Sequence, residues 1–496
     1  MPRGTLGSHP MARTCVPGRQ RMPMSTRPGC QRGILAGVCG LAIGLVRSSA
    51  GAAEFSADLP DPPALPDMPP VPAADFDPLQ GMDVNGRIPR VPLPDDIPHP
   101  ERWRYVPEGR IKPGNVLDRF MVSSFIAPIV YYEEAVGAGG GISLTDIDFR
   151  EQRRQEFAGI YAARTTLGQE DYGVIWQRWL DHRDLPGGGV ATEERSWVRV
   201  QLSYDNTLTD RFYGLGAETR SGDETSYSDR SEVLGVLLQS SVPHAGDDWV
   251  VVAGTHAEHH RLGSGHVSGW PSTEQIYPAL VADGDDRQSV WLTAAVRYDT
   301  RDSQTNPYRG GLIEAGIDAQ PWSREEGQPG VDSGEIWHVN GSYALPLPGL
   351  LHSGGDANEE NPPTDVLAIG GFITWADGDL PFWELPSLGG ANTLRGYIGG
   401  RWTDRAAWHL ALEYRLWVIP RGMRLTDSIR IERFGVAPFV EVGSVADNLT
   451  QLETSAKHES YGLSFRAELE RTAIFRFDVG WSAEGVAFNL AYGLSF

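Results

Sequence analysis

The last eleven residues of the chain alternate without a break. Val486, Phe488, Leu490, Tyr492, Leu494 and Phe496 fall on one parity, and Ala487, Asn489, Ala491, Gly493 and Ser495 on the other. In an extended strand, period two sends successive side chains to opposite faces, so this run has one apolar face and one small or polar face. The same split recurs upstream. Trp408, Leu410, Leu412, Tyr414 and Leu416 oppose Ala407, His409, Ala411, Glu413 and Arg415. Val198, Val200, Leu202 and Tyr204 oppose Arg199, Gln201 and Ser203, and Val290, Leu292, Ala294, Val296 and Tyr298 oppose Thr293, Arg297 and Asp299. Phe475, Phe477, Val479 and Trp481 oppose Arg476, Asp478 and Ser482.

A soluble sandwich alternates too. Here aromatics sit towards both ends of the apolar face, and the polar face carries neighbouring charges. No stretch after residue 50 approaches the ~18 uninterrupted apolar residues of a membrane helix. A strand that shows lipid only one face keeps mean hydropathy low, here −0.31. The expected fold is all-β, a transmembrane antiparallel barrel over 120–496 that ends on a membrane-facing Phe496. About fifteen strands can be counted, roughly ten before residue 380 and five after 405; barrels of this kind have even strand numbers, so about sixteen are expected, with one missed before 380. Lipid offers no partner to backbone N–H and C=O groups, so the sheet must close. Pro243–Asp248 reads as a short turn. Arg220–Asp229, Ser264–Arg287 and Leu351–Thr364 read as long polar loops of the extracellular kind.

The N-terminus reads as an export signal over 1–52. Arg19, Arg21, Arg27 and Arg32 precede an apolar run from Ile34 to Val46, and Ala50-Gly51-Ala52 supplies a cleavage site. Met22 or Met24 is the more natural start. All three cysteines (Cys15, Cys30, Cys39) lie before the cut, so the mature chain is expected to have no disulfide and no thiol chemistry. Residues 53–115 form a periplasmic linker with fourteen prolines between Pro60 and Pro107. Such a segment is expected to be disordered, building neither ladder nor helix. The net charge of −22 argues against nucleic acid as a partner.

The most informative segment lies between two strands: Leu388-Gly389-Gly390-Ala391-Asn392-Thr393-Leu394-Arg395-Gly396-Tyr397. It resembles the Arg-Gly-aromatic loop of the bacterial surface-antigen barrels, the superfamily of BamA, TamA and two-partner secretion transporters. Five strands follow it, as in that family, where the loop precedes the twelfth strand. Phe439-Val440-Glu441-Val442-Gly443 is similar to the family's Phe-x-Asp-x-Gly strand, with Glu in place of Asp. Tyr298-Asp299-Thr300-Arg301-Asp302, then Asn306-Pro307 and Arg309-Gly310-Gly311, resembles another family segment, as does Arg211-Phe212-Tyr213-Gly214-Leu215-Gly216. The alternating end at Tyr492, Leu494 and Phe496 resembles the signal read by the outer-membrane assembly machinery. The likeness covers roughly 125–496.

The resemblance implies a bacterial outer-membrane location, lipid and the assembly machinery as partners, and a role in inserting or translocating a client polypeptide. A passive pore is the alternative. The resemblance also implies a loop folded into the lumen. On β parity Glu441 faces inward with Phe439 and Gly443, where Arg395 on such a loop would pair with it, and Gly396 would permit close backbone approach. One departure stands out. Familiar members carry periplasmic POTRA modules, whereas the proline-rich composition here cannot supply their compact core.

Other chemistry finds little support. His256-Ala257-Glu258-His259-His260 puts His256, Glu258 and His260 on one strand face. It lacks the helical spacing of a zinc protease and reads as loop or lumen histidines. Gly137–Gly141 and Gly187-Gly188-Gly189 lack the Lys-Ser/Thr of a phosphate loop and read as strand kinks and a turn. No nucleophile elbow is present. The expectation is no enzyme, no metal and no cofactor.

Overall fold

A computed structural model describes residues 93–106, 124–186, 188–281, 286–325, 332–355, 359, 361–424, 430–470 and 473–496. The predicted signal peptide and the linker up to residue 92 lie outside the described residues. Sixteen antiparallel strands close into one barrel. They are β1 (Ser124–Glu133), β2 (Gly137–Asp146), β3 (Glu156–Thr165), β4 (Glu170–Trp179), β5 (Trp197–Phe212), β6 (Thr225–Ser241), β7 (Trp249–Ser264) and β8 (Asp286–Asp299). Then come β9 (Gly310–Glu325), β10 (Asp332–Leu347), β11 (Asp365–Gly378), β12 (Ala406–Ile419), β13 (Arg433–Ala446), β14 (His458–Glu470), β15 (Ala473–Ser482) and β16 (Gly485–Tyr492). Each strand pairs with its chain neighbours, and β16 returns to β1. Eleven strands precede residue 380 and five follow 405, so the uncounted strand is where it was expected.

Gly137 does turn the backbone, at φ 81° where the β1–β2 hairpin closes, but Gly139–Gly141 are not kinks: they run as regular β2, paired with β1 through to Asp146. A Cβ on Gly139 would stand 2.2 Å from Tyr131 Cζ, so the missing side chain makes room for that ring. Gly188 and Gly189 do form a turn, both at positive φ.

The distribution of polarity separates this barrel from a soluble sandwich. Ile126, Ile160, Leu202, Leu234, Ile313, Val440 and Tyr461 are more than half exposed on the outer face. The inner face buries Asp171, Gln239, Glu314, Glu413, Glu441, Arg466, Asp478 and Asn489. Water would penalise that outer face; a hydrocarbon slab would not.

Strand direction assigns every connection to a rim. β1 starts and β16 ends at what we term the terminal rim. The connection after the fifth strand, 213–224, and the one beginning at 265 lie at the far rim. The connection after the tenth strand, containing Leu351–Thr364, lies at the terminal rim, so it does not belong with the other two long loops.

The terminal rim also holds the part of the proline-rich segment that is described. Pro100–Arg102 makes a 3₁₀ turn, and Trp103–Val106 pairs with Val190–Glu193, which in turn pairs with His182–Asp184. The expectation that this segment builds no ladder fails here. Arg102 donates to the Gly246 carbonyl and to Asp248 at 2.5 and 2.6 Å, pinning the segment to the turn between β6 and β7. Beside it Arg195 caps the carbonyls of Asp299 and Arg301, which form an ion pair of 2.9 Å.

The chain end departs from its expected place. Tyr492 closes β16, edge-to-face on Phe475. Gly493 then turns the backbone inward at φ 80°. Ser495 Oγ donates to Glu413 at 3.2 Å, and the Phe496 carbonyl accepts from Arg415 at 3.1 Å. The Phe496 ring fills the space that a Cβ on Gly370 would occupy. Phe496 therefore sits in the lumen and does not face the membrane.

Candidate functional site

The connection 379–405 leaves β11 at the far rim and enters the barrel. Its local chemistry explains the fold. Gly389 and Gly390 adopt φ of 113° and 96°, which Cβ-bearing residues avoid. The Gly390 amide donates to the Tyr397 carbonyl, and the Tyr397 amide to the Leu394 carbonyl. Leu388, Leu394, Tyr397 and Trp402 form a small apolar core with Ala407 and Val445 of the wall. Tyr397 and Trp402 meet edge-to-face at 4.5 Å.

Arg395 tips this connection and is fully buried. Its Nε donates to Glu441 Oε1 at 2.9 Å, and its backbone amide donates to Glu441 Oε2 at 2.6 Å. Nη1 donates to Glu413 Oε1 at 2.8 Å and lies 3.9 Å from Asp478 Oδ1. The guanidinium carbon stands 3.6 Å above the Phe439 ring. The structure thus brings together Arg395, Glu441 and Phe439, which the sequence placed as possible partners. Burial by itself would depress the Arg395 pKa, but Glu441, Glu413 and Asp478 carry it above the ordinary guanidinium value.

The glycines serve close approach. A Cβ on Gly396 would stand 2.7 Å from the Trp481 carbonyl, and one on Gly480 would stand 2.3 Å from the Arg395 carbonyl. A Cβ on Gly443 would strike Leu388 at 2.9 Å. Loop and wall therefore pack backbone against backbone on β15, with Ser482 Oγ donating to the Gly396 carbonyl at 2.8 Å.

Several residues here were not singled out from the sequence. Glu413 accepts from Arg395, Arg415 and Arg466. Arg476 pairs with Asp478 and donates to the Ala391 carbonyl. Their inward parity was readable, but their convergence depends on strand stagger. Arg401 clamps the other end of the loop: it pairs with Glu484 at 2.7 Å, donates to the Thr219 carbonyl and lies over Tyr213. Leu215 bridges to Thr403 there, so the Arg211–Gly216 segment holds the loop's exit.

The seam between the first and last strands differs from every other. Among the described residues β1 and β16 share one registered pair, Tyr132 opposite Leu490. By contrast β1 pairs with β2 along its whole length, and β15 with β16 from Phe475 to Ser482.

Curated proteins yield no sequence match. Among solved structures, BamA from Haemophilus ducreyi lacking POTRA domains 1–3 is similar at 14% identity and TM-score 0.47, over 75% of this chain and 70% of that one. CdiB from Acinetobacter baumannii gives 9% and 0.45, over 75% and 59%; CdiB from Escherichia coli gives 10% and 0.47, over 74% and 63%. The chain thus spans less than two thirds of either CdiB. A family model described as the Omp85 superfamily domain matches residues 192–496, which takes in the Arg395 loop, its wall and the whole second part of the barrel, and the chain belongs to that superfamily.

Proposed function

We propose that this chain spans a bacterial outer membrane and assists insertion or translocation of a partner polypeptide through the β1–β16 seam. The observation that supports this is the seam itself. With Tyr132–Leu490 as its one registered pair among the described residues, the seam is the weakest join in the barrel, and the facing edges of β1 and β16 are where an incoming strand would add by edge pairing. A passive pore fits less well, because the 379–405 loop and the inward-turned C-terminus both occupy the lumen.

The test is a lock across the seam. Tyr132→Cys with Leu490→Cys places two thiols on directly opposed residues, in a mature chain expected to contain no other cysteine. Liposomes carrying the protein are given an unfolded outer-membrane barrel, and folding is followed by heat-modifiable migration. The protein should speed folding over empty liposomes, oxidation should abolish the gain, and reductant should restore it. A gain that survives full oxidation removes the seam mechanism, and conductance as a steady open pore would favour the channel.

A further inference from the structure

We infer that Glu258, His260 and Glu384 form a divalent metal site clipping the 379–405 loop to the wall on the side away from Arg395. His260 Nε2 lies 3.6 Å from Glu258 Oε2 and 3.7 Å from Glu384 Oε1, and the three donor atoms fall within 4.8 Å of one another. These separations are long for hydrogen bonds. Around a tetrahedral ion with metal–nitrogen and metal–oxygen bonds of about 2.0–2.2 Å, neighbouring donors stand roughly 3.4 Å apart. Small side-chain shifts therefore close the site.

Each donor is held by its own support. Asp229, on β6, grips His260 Nδ1 with both carboxylate oxygens, at 3.0 and 3.1 Å. With Nδ1 held by Asp229, Nε2 faces the two glutamates, and a cation that displaces its proton would find the lone pair aimed between them, the arrangement typical of histidine ligands. Glu258 Oε1 accepts from Ser289 Oγ at 2.9 Å and from the Trp291 indole, which turns Oε2 towards His260. His256 Nε2 flanks the same oxygen at 3.6 Å. Glu384 closes a 3₁₀ turn, Phe382–Glu384, whose Phe382 ring packs on Phe212 and Tyr227 of the wall. His260 and Glu384 are each only 6% exposed. One imidazole with two carboxylates suits a first-row transition ion, with Zn²⁺ the probe of choice, better than Mg²⁺ or Ca²⁺.

The full chain is purified in detergent, stripped with chelator and titrated with Zn²⁺ alone by calorimetry. One saturable site is expected, with a Zn²⁺-dependent rise in the heat-modification temperature. Glu384→Gln, on the loop and outside the barrel wall, should abolish both effects, as should His260→Ala. Asp229→Asn should weaken affinity by about 10–100-fold. His338→Ala, which alters another lumen histidine near Glu314 and Asp318, should leave binding unchanged. Absence of saturable Zn²⁺ binding to the folded wild type, or binding undiminished in Glu384→Gln, overturns the proposal.

Discussion

Replacing Arg395 by alanine should loosen the loop and weaken the barrel together. Its guanidinium is fully buried and bonded to Glu441 and Glu413 at 2.9 and 2.8 Å. Removing one partner of a buried ion pair costs about 3–5 kcal/mol, mostly because the other charge stays buried without compensation. The surroundings temper this. Glu441 keeps the residue-395 amide and Ser460 Oγ, and Glu413 keeps Arg415 and Arg466. The loss should therefore fall near the lower end, about 3 kcal/mol, or roughly 150-fold in the folded ratio. Urea unfolding in detergent, read by heat-modifiable migration, measures it, and limited proteolysis of 379–405 reports loop release. A double-mutant cycle with Glu441→Gln isolates the pair, and contacting charges should show a coupling of about 0.5–3 kcal/mol. Arg395→Ala within about 0.5 kcal/mol of wild type, or strict additivity in the cycle, would refute the reasoning.

Gly480→Ala forces a Cβ to within 2.3 Å of the Arg395 carbonyl, so the loop should lift from β15 at a cost of about 1–3 kcal/mol, seen as more frequent openings in planar bilayers. Arg102→Ala removes the bonds to Gly246 and Asp248, and should expose 93–106 to protease while leaving barrel migration unchanged. Asp404, at the loop's exit, has its pKa pushed up to about 6, chiefly by burial. An acid whose folded pKa exceeds its unfolded one binds more protons in the folded state, so stability should rise as pH falls from above 6 towards 4. Asp404→Asn should flatten the dependence of loop proteolysis on pH over that window.

Period two alone made most strands legible, because lipid outside and charge inside impose the same alternation on each. It failed where side chains are missing or the backbone turns. In β2 glycines leave Tyr131 to fill the inner face, so Gly137–Gly141 carries little alternation to read. At the chain end the parity of Phe496 matched that of Phe488, but Gly493 breaks the strand and sends Phe496 inward. Leu351–Thr364 looked like an extracellular loop by composition, yet strand parity puts it at the terminal rim, and composition carries no parity. The pairing of Arg395 with Glu441 could be posed from a motif and one strand's parity. Glu413, Asp478 and Arg401 join the site through inter-strand stagger, which single-strand patterns do not encode.

The loop and the seam bear on each other physically. The Arg395 carbonyl accepts from Asn489 Nδ2 of β16 at 3.3 Å. On the other side of the seam, β1 ends at Glu133, whose carboxylate stands where Cβ atoms on Gly390 or Gly399 would fall, 2.7 and 2.6 Å away. The same loop thus touches both strands that share one backbone pair, and part of the cohesion missing from the seam is supplied from inside the lumen. If so, loosening the loop must also loosen the seam. In Arg395→Ala the Tyr132→Cys/Leu490→Cys disulfide should form more slowly or with lower yield, because the two strands spend more time apart. Unchanged crosslinking in a variant whose loop is demonstrably protease-sensitive would show that the seam holds itself, and the loop would then act only as a plug.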